Sequence, residues 1–271
     1  MGIGPSAFQQ IAELSTRFQP EGRSLMLGRQ QFRAGRRYGK DVLLGNAAAN
    51  ILKKHRPDVA VDECLQDNGY AEAMFLSLGF GDVESLDFSD FEGAQLLCDL
   101  NEPVPAEWHG QFDFIFDGGT LEHVFNVPQA LRNMFDMLAP NGRFVALNPL
   151  NNWVGHGLYQ FSPELVYAFW NRACGCKVHR CIAMNDSGSF TVDLQDIATD
   201  GMRREMKTTW HGQSGLPPTR LFLWYEVERL PTSKPQGIAM QNDYERRWED
   251  TKLATGEVAG PRSKPVAAEA E

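Results

Sequence analysis

The sequence predicts one large α/β domain on a mostly parallel sheet whose last strand runs antiparallel. Three observations carry this expectation. Phe112-Asp113-Phe114-Ile115-Phe116-Asp117 is an apolar-rich run that closes on an acid. A small-residue turn follows it, then a helical pattern from Val127 to Leu138, the turn Pro140-Asn141-Gly142 and a second strand, Arg143 to Leu147. Strand, helix, glycine turn and strand make a βαβ unit. Two earlier runs, Val83 to Asp87 and Gln95 to Asp99, repeat the form of a short strand ending in an acid. Late in the chain, Lys177 to Met184 and Leu221 to Glu228 read as a final antiparallel pair.

The remaining elements follow in order. Phe8, Ile11, Leu14 and Phe18 stand at helical spacing, so Ala7 to Phe18 reads as an amphipathic helix. Ser24 to Gly28 is a short apolar run closing on glycine, the first strand. Val42 to His55 and Tyr70 to Leu78 read as helices, the second stopped by Gly79. After the βαβ unit, Ser162 caps a helix that has Pro163 in its first position and runs to Asn171. Residues Asn185 to Arg220, rich in Gly, Ser, Asp and Pro, are too many for a hairpin loop and suggest a substrate-facing insertion. The expected organisation is an N-terminal helical extension (1–23), a main domain (24–230) with insertions at 33–68 and 185–220, and a C-terminal helix and tail (231–271). From Thr255 onward the tail has no apolar face, and disorder is expected.

Bulk properties exclude several classes. A 271-residue chain with 42% apolar content has ample core for such a domain. Its formal charge of −9 argues against nucleic-acid binding, which normally needs a basic face. No apolar run reaches the roughly 18 residues of a membrane span, and no secretory leader is visible. Five cysteines, an odd number in mostly apolar surroundings, fit free thiols in a reducing cytoplasm. Cys174, Cys176, His179 and Cys181 invite a zinc site, but alternation along a strand explains them as well, and no metal is expected.

The stretch from Asp113 to Asn148, with its Leu121-Glu122-His123-Val124 turn, resembles the core of the class I S-adenosylmethionine-dependent methyltransferases, in particular the small-molecule type. Gly155-His156-Gly157-Leu158-Tyr159-Gln160-Phe161-Ser162-Pro163-Glu164 extends the likeness. The resemblance implies a Rossmann-like fold with a seven-stranded sheet and S-adenosylmethionine as cofactor. It also implies a small-molecule acceptor methylated on oxygen: a sugar, phenol or natural product. It leaves the oligomeric state open.

A nucleotide-type cofactor in such a sheet needs a tight turn after the first strand, an acid after the second for ribose hydroxyls, and a polar group after the third for the adenine amine. Gly28, Asp87 and Asp99 hold those positions, and Asp117, Gly118 and Gly119 form the turn beside them. Solvated strand-end acids explain the two aspartates equally. The first loop departs from the family pattern: Met26 stands where an acid is usual, and Arg29-Gln30-Gln31 replace small residues. A chain that keeps the fold but has become a non-catalytic binding or interaction protein is therefore the alternative. About 54 residues separate Gly28 from Val83, and the added segment carries Arg33, Arg36, Arg37, Lys40, Lys53, Lys54, His55 and Arg56, a solvated basic surface or an anion clamp.

Methyl transfer to a hydroxyl needs alignment and a proton acceptor, and histidine suits that task near neutrality. His156, between two glycines, and His123 are the candidates, with His156 preferred. Some resembling enzymes bind a metal on a Glu-x-x-Glu-His motif; here Gly119 replaces the first glutamate, leaving Glu122 and His123. Trp153, Tyr159 and Gln160, with Trp210 and His211 of the insertion, are candidates for an acceptor pocket, core packing being the other reading of Trp153 and Tyr159.

Overall fold

Buried residues alternate between two cores along the central strands, so the sheet is covered on both faces. Leu25, Leu27, Ile115, Phe144 and Ala146 point into one core, and Met26, Phe114, Phe116, Val145 and Leu147 into the other. The computed structural model describes residues 2–34, 42–196, 209–210, 213–214, 216–235 and 237–241. Its strands are β1 (Gly2–Ile3), β2 (Arg23–Leu27), β3 (Gln31–Phe32), β4 (Val83–Asp87), β5 (Leu96–Leu97), β6 (Phe112–Asp117), β7 (Leu138–Asn151), β8 (Lys177–Met184), β9 (Thr191–Asp193), β10 (Thr209–Trp210), β11 (Gln213–Ser214) and β12 (Leu221–Glu228). The helices are α1 (Pro5–Leu14), α2 (Val42–His55), α3 (Glu72–Ser77), α4 (Val127–Met137) and α5 (Pro163–Leu165), which continues as a π-helix over Val166–Ala173.

The main sheet runs β5-β4-β2-β6-β7-β12-β8-β9. The first five of these are parallel, and β12 lies antiparallel between β7 and β8. This is the Rossmann-like arrangement expected, with strand order reversing at β2, so the loops after β2, β4 and β6 open at a switch point. Eight strands replace the seven expected. The eighth, β9, comes from the 185–220 segment and pairs with β8 at the sheet edge, Ala183 opposite Val192. That segment thus begins as sheet, and its Trp210 and His211 lie outside the residues whose side chains are described.

The N-terminal extension is part of the core. Ile3, beside β3 in a parallel pair, and Phe8 of α1, stacked edge-on 4.9 Å from Phe32, are fully buried. Met26 sits in this same core, which explains an apolar residue where the resembled family has an acid. Helix α2 of the insertion packs here through Ala48 and Leu52, while Lys53 and Lys54 are exposed. Arg56 at its end donates to the Leu78 carbonyl (2.6 Å) and pairs with Asp58. Arg36, Arg37 and Lys40 lie outside the described residues.

On the opposite face, α4 and the π-helix pack with Trp170 against Phe144. Cys174, Cys176 and Cys181 are buried here as free thiols, and burial pushes them up to about 12, 11 and 12, so they stay protonated. His179 bonds Glu228 at 2.6 Å rather than joining them. No helix among the described residues is long and apolar enough to cross a membrane. Residues 231–235 and 237–241 are not helical; an expected C-terminal helix and tail would lie in residues outside those described.

Candidate active site

The last residue of β6, Asp117, is fully buried and fixes the turn that follows. Its Oδ1 accepts from the Gly119 and Thr120 amides (3.1 and 2.7 Å), and its Oδ2 from Asn148 Nδ2 (2.7 Å) at the end of β7. The turn carries Glu122 inward, where it too is fully buried. The same Asn148 Nδ2 reaches Glu122 Oε2 at 3.3 Å, so one amide bridges two carboxyl groups.

The loop after β7 then folds over Glu122. Its backbone carbonyl accepts from Leu158 N (2.7 Å) and Tyr159 N (3.3 Å). Between them and His156 stands Gly157, with φ +71°, where a Cβ would come within 2.9 Å of Glu122 Cγ and 3.0 Å of its carbonyl oxygen. Glycine is needed there on both counts. This docking brings His156 Nε2 to 3.7 Å from Glu122 Oε1, with His123 Nε2 at 4.0 Å, and the imidazoles meet edge-on with centroids 5.3 Å apart. Glu122 Oε1 and His156 Nε2 are both buried with no hydrogen-bond partner.

Two cavities flank this cluster. One, of about 210 Å³, lies beyond β4 and β5 and is lined by Asp87, Asp99, Asn101, Thr120 and His123 among apolar walls that include Leu86, Phe88 and Leu100. The other, of about 440 Å³, lies on the opposite side and is lined by His156, Trp153, Gly118, Leu147, Phe222, Asp186, Arg33, Arg220 and the start of α1. His123 thus faces one cavity and His156 the other. The larger is within the size range of small-molecule sites.

Electrostatically the two buried acids differ. Burial raises both, Glu122 to about 8 with a further push from the Asp117 charge. Asp117 has three N–H donors to hold its charge, whereas Glu122 has one long bond from Asn148, so Glu122 is the partner that keeps its proton. His123 is pushed down by burial and by His156, and is neutral at pH 7. Glu122, His123 and His156 each offer a donor atom within 4.8 Å of the others, the one such group among the described residues. A tetrahedral ion with bonds of about 2.1 Å would need edges near 3.4 Å, so the set would have to contract to hold one.

The sequence candidates divide accordingly. Asp87 and Asp99 do line one cavity. Asp87 Oδ1 accepts from Phe88 N and Asp99 Oδ1 from Asn101, leaving a second oxygen on each. Gly28 (φ +63°) and Gly119 shape the neighbouring turns, and Gly118 borders the other cavity. Asp117 is an internal anchor that reaches neither cavity. Trp153 lines the larger one, its Nε1 donating to the Leu221 carbonyl (2.8 Å). Tyr159 and Gln160 do not: the Tyr159 hydroxyl donates to the Phe125 carbonyl and the Gln160 Oε1 accepts from Trp153 N, so both brace the loop. The long residues after Gly28 do not block the smaller cavity either. Arg29 turns away to Glu72 and the Glu92 carbonyl, and Gln30 folds back to donate to Leu27 O (2.8 Å). Asn148 and the burial of Glu122 were not anticipated; only the strand-end position of Asn148 hinted at a role.

Residues 61–146 match the family model described as a methyltransferase domain. Among curated proteins none matches. Solved structures of similar fold include the Burkholderia thailandensis 1,6-didemethyltoxoflavin-N1-methyltransferase with bound 1,6-didemethyltoxoflavin and S-adenosylhomocysteine (15% identity, 83% of this chain and 79% of that one, TM-score 0.41). An S-adenosylmethionine-dependent methyltransferase from Mesorhizobium loti (14%, 82% and 98%, 0.39) and a 16S rRNA (adenine(1408)-N(1))-methyltransferase from Catenulisporales acidiphilia (13%, 87% and 95%, 0.36) are similar too. Likenesses this distant carry no weight for the acceptor.

Proposed function

We propose that this chain, which carries a methyltransferase domain at 61–146, transfers a methyl group from S-adenosylmethionine to a hydroxyl of a small-molecule acceptor. The observation that carries the reading is the approach of half-buried His156 to buried Glu122 between two cavities, one apolar-walled and acid-rimmed, the other roomier and lined by Trp153 and Phe222.

The smaller cavity fits a nucleoside. Asp87 and Asp99, at the ends of adjacent strands, each keep a carboxylate oxygen for hydroxyl or amine donors, and Leu86, Phe88 and Leu100 offer apolar faces to a base. Bound there, S-adenosylmethionine supplies an electrophilic methyl on its sulfonium. The chain's own part is alignment and proton removal. Trp153 and Phe222 shape the acceptor side. The buried His156 Nε2 edge faces Glu122, which leaves Nδ1 as the nitrogen to take the hydroxyl proton. Once it has lost its proton, on the alkaline side of about 8, Glu122 orients the ring and stabilises the imidazolium, as a carboxylate does behind a catalytic histidine. At 3.7 Å the pair is not yet a hydrogen bond; such contacts tighten when substrate binds.

The test is His156→Ala assayed by mass spectrometry for methyl ether formation against a panel of hydroxyl acceptors. Turnover should fall about 10²–10⁴-fold with S-adenosylhomocysteine affinity unchanged. Near-full turnover would remove the base from this account.

A further inference from the structure

The larger cavity carries two guanidinium groups with no carboxylate of their own. Among the described residues Arg17, Arg23, Arg29, Arg56, Arg143, Arg172 and Arg180 each pair with an acid, and Arg229 donates to the Phe135 and Leu138 carbonyls. Arg33 and Arg220 have neither kind of partner and both line this cavity. Arg132, exposed on α4, also has no such partner but stands away from both cavities, so what sets this cavity apart in a chain of net charge −9 is that two unpaired arginines share one lining.

Neither side chain is free to wander. The stem of Arg33 lies across Gly2, where a Cβ would meet its Nε at 2.7 Å. The Arg220 guanidinium sits over the Trp153 ring, 5.0 Å from its centroid, a contact that holds a cation without neutralising it. Trp153 in turn lies 5.2 Å from His156, centroid to centroid. A row therefore runs from the proposed base through an aromatic plate to an unpaired cation, with Arg33 on the same cavity. Asp186, also in the lining, packs by Gly4 and supplies the one acid there. It suits an acceptor hydroxyl and leaves the cavity with a net positive charge.

We infer that the acceptor carries an oxyanion, a phosphoryl or carboxylate group, which Arg33 and Arg220 hold while a hydroxyl of the same molecule meets His156. A guanidinium presents paired donors that match either oxyanion, which a flexible ammonium does not. This rests on the methyltransferase reading of the site and narrows its acceptor to acidic small molecules, such as a sugar phosphate or a uronic acid. A neutral phenol or sugar would leave both arginines without a role.

The test is calorimetry on the full chain at low ionic strength with three probes: inorganic phosphate, pyrophosphate and malonate. Saturable binding is expected for at least one. It should weaken at least tenfold in Arg33→Gln/Arg220→Gln and recover in part in the doubly lysine-substituted protein, which keeps charge but loses the fork. Tighter phosphate or pyrophosphate binding assigns a phosphoryl acceptor, and tighter malonate binding a carboxylate. Both arginines are on the surface, so the variants should melt as the parent does. No saturable binding of any probe, or binding unchanged in the glutamine variant, overturns the inference. S-adenosylhomocysteine, titrated separately, keeps the two readings apart: cofactor binding without anion binding rejects only the acidic acceptor, and anion binding without cofactor binding rejects the cofactor assignment.

Discussion

His156 Nε2 and Glu122 Oε1 stand 3.7 Å apart, both buried, and neither makes a hydrogen bond to any other described group. A buried polar atom without a partner costs about 1–3 kcal/mol, so leaving two of them face to face is destabilising unless they act on each other. Burial and the Asp117 charge hold Glu122 up to about 8. If ionised Glu122 is the form that orients the imidazole, kcat/KM should rise with pH along a limb near 8. Glu122→Gln should abolish that limb and lower the plateau. A flat profile between pH 6 and 9 in the parent would separate Glu122 from catalysis.

The same group should make the fold less stable as the pH rises. A carboxyl with a folded pKa near 8 is protonated in both states below about pH 4, where it contributes nothing. Between its unfolded and folded values the unfolded chain loses the proton first, so the penalty grows through pH 5–8 and levels off above. Glu122→Gln, which keeps the shape without the charge, should therefore raise the melting temperature at pH 8.5 and change it little at pH 4.5. A gain independent of pH would point to packing instead.

The loop holding His156 depends on a glycine that its neighbour does not need. Gly155 (φ +78°) has open space around it, while Gly157 (φ +71°) is pressed on Glu122. Alanine at 155 should cost only the left-handed strain, about 1–2 kcal/mol. Alanine at 157 should cost more and, by displacing the loop, should also depress turnover. Equal melting curves for the two variants would show that the loop is not docked on Glu122.

Much of the frame was legible in the chain. The βαβ unit from Phe112 to Leu147 has strong periodicity and sharp punctuation, and the strand Val83–Asp87 and helix Val42–His55 fall where their patterns place them. What sequence could not show was depth. Asp117 and Glu122 look like turn acids, yet both are fully buried, because Asn148, 31 and 26 residues later on a neighbouring strand, meets them. Likewise Tyr159 and Gln160 look like pocket residues, but the Tyr159 amide is held by the Glu122 carbonyl and the Gln160 side chain accepts from Trp153 N, so both are braces. β9 was missed because three residues in a polar segment carry no period; only their pairing with β8 makes them a strand. Arg29 and Gln30 looked obstructive because their reach, not their direction, is what a sequence conveys.

Whether the cavity of Asp87 and Asp99 holds S-adenosylmethionine can be read by calorimetry with S-adenosylhomocysteine. One-to-one binding is expected to saturate well below millimolar ligand and to weaken in Asp87→Ala by about 1–3 kcal/mol as ribose hydroxyls lose their acceptor. Binding undiminished in that variant would leave Asp87 a strand-end acid. No binding at millimolar ligand, in protein shown to be folded, would contradict the account and leave a binding protein built on a methyltransferase scaffold.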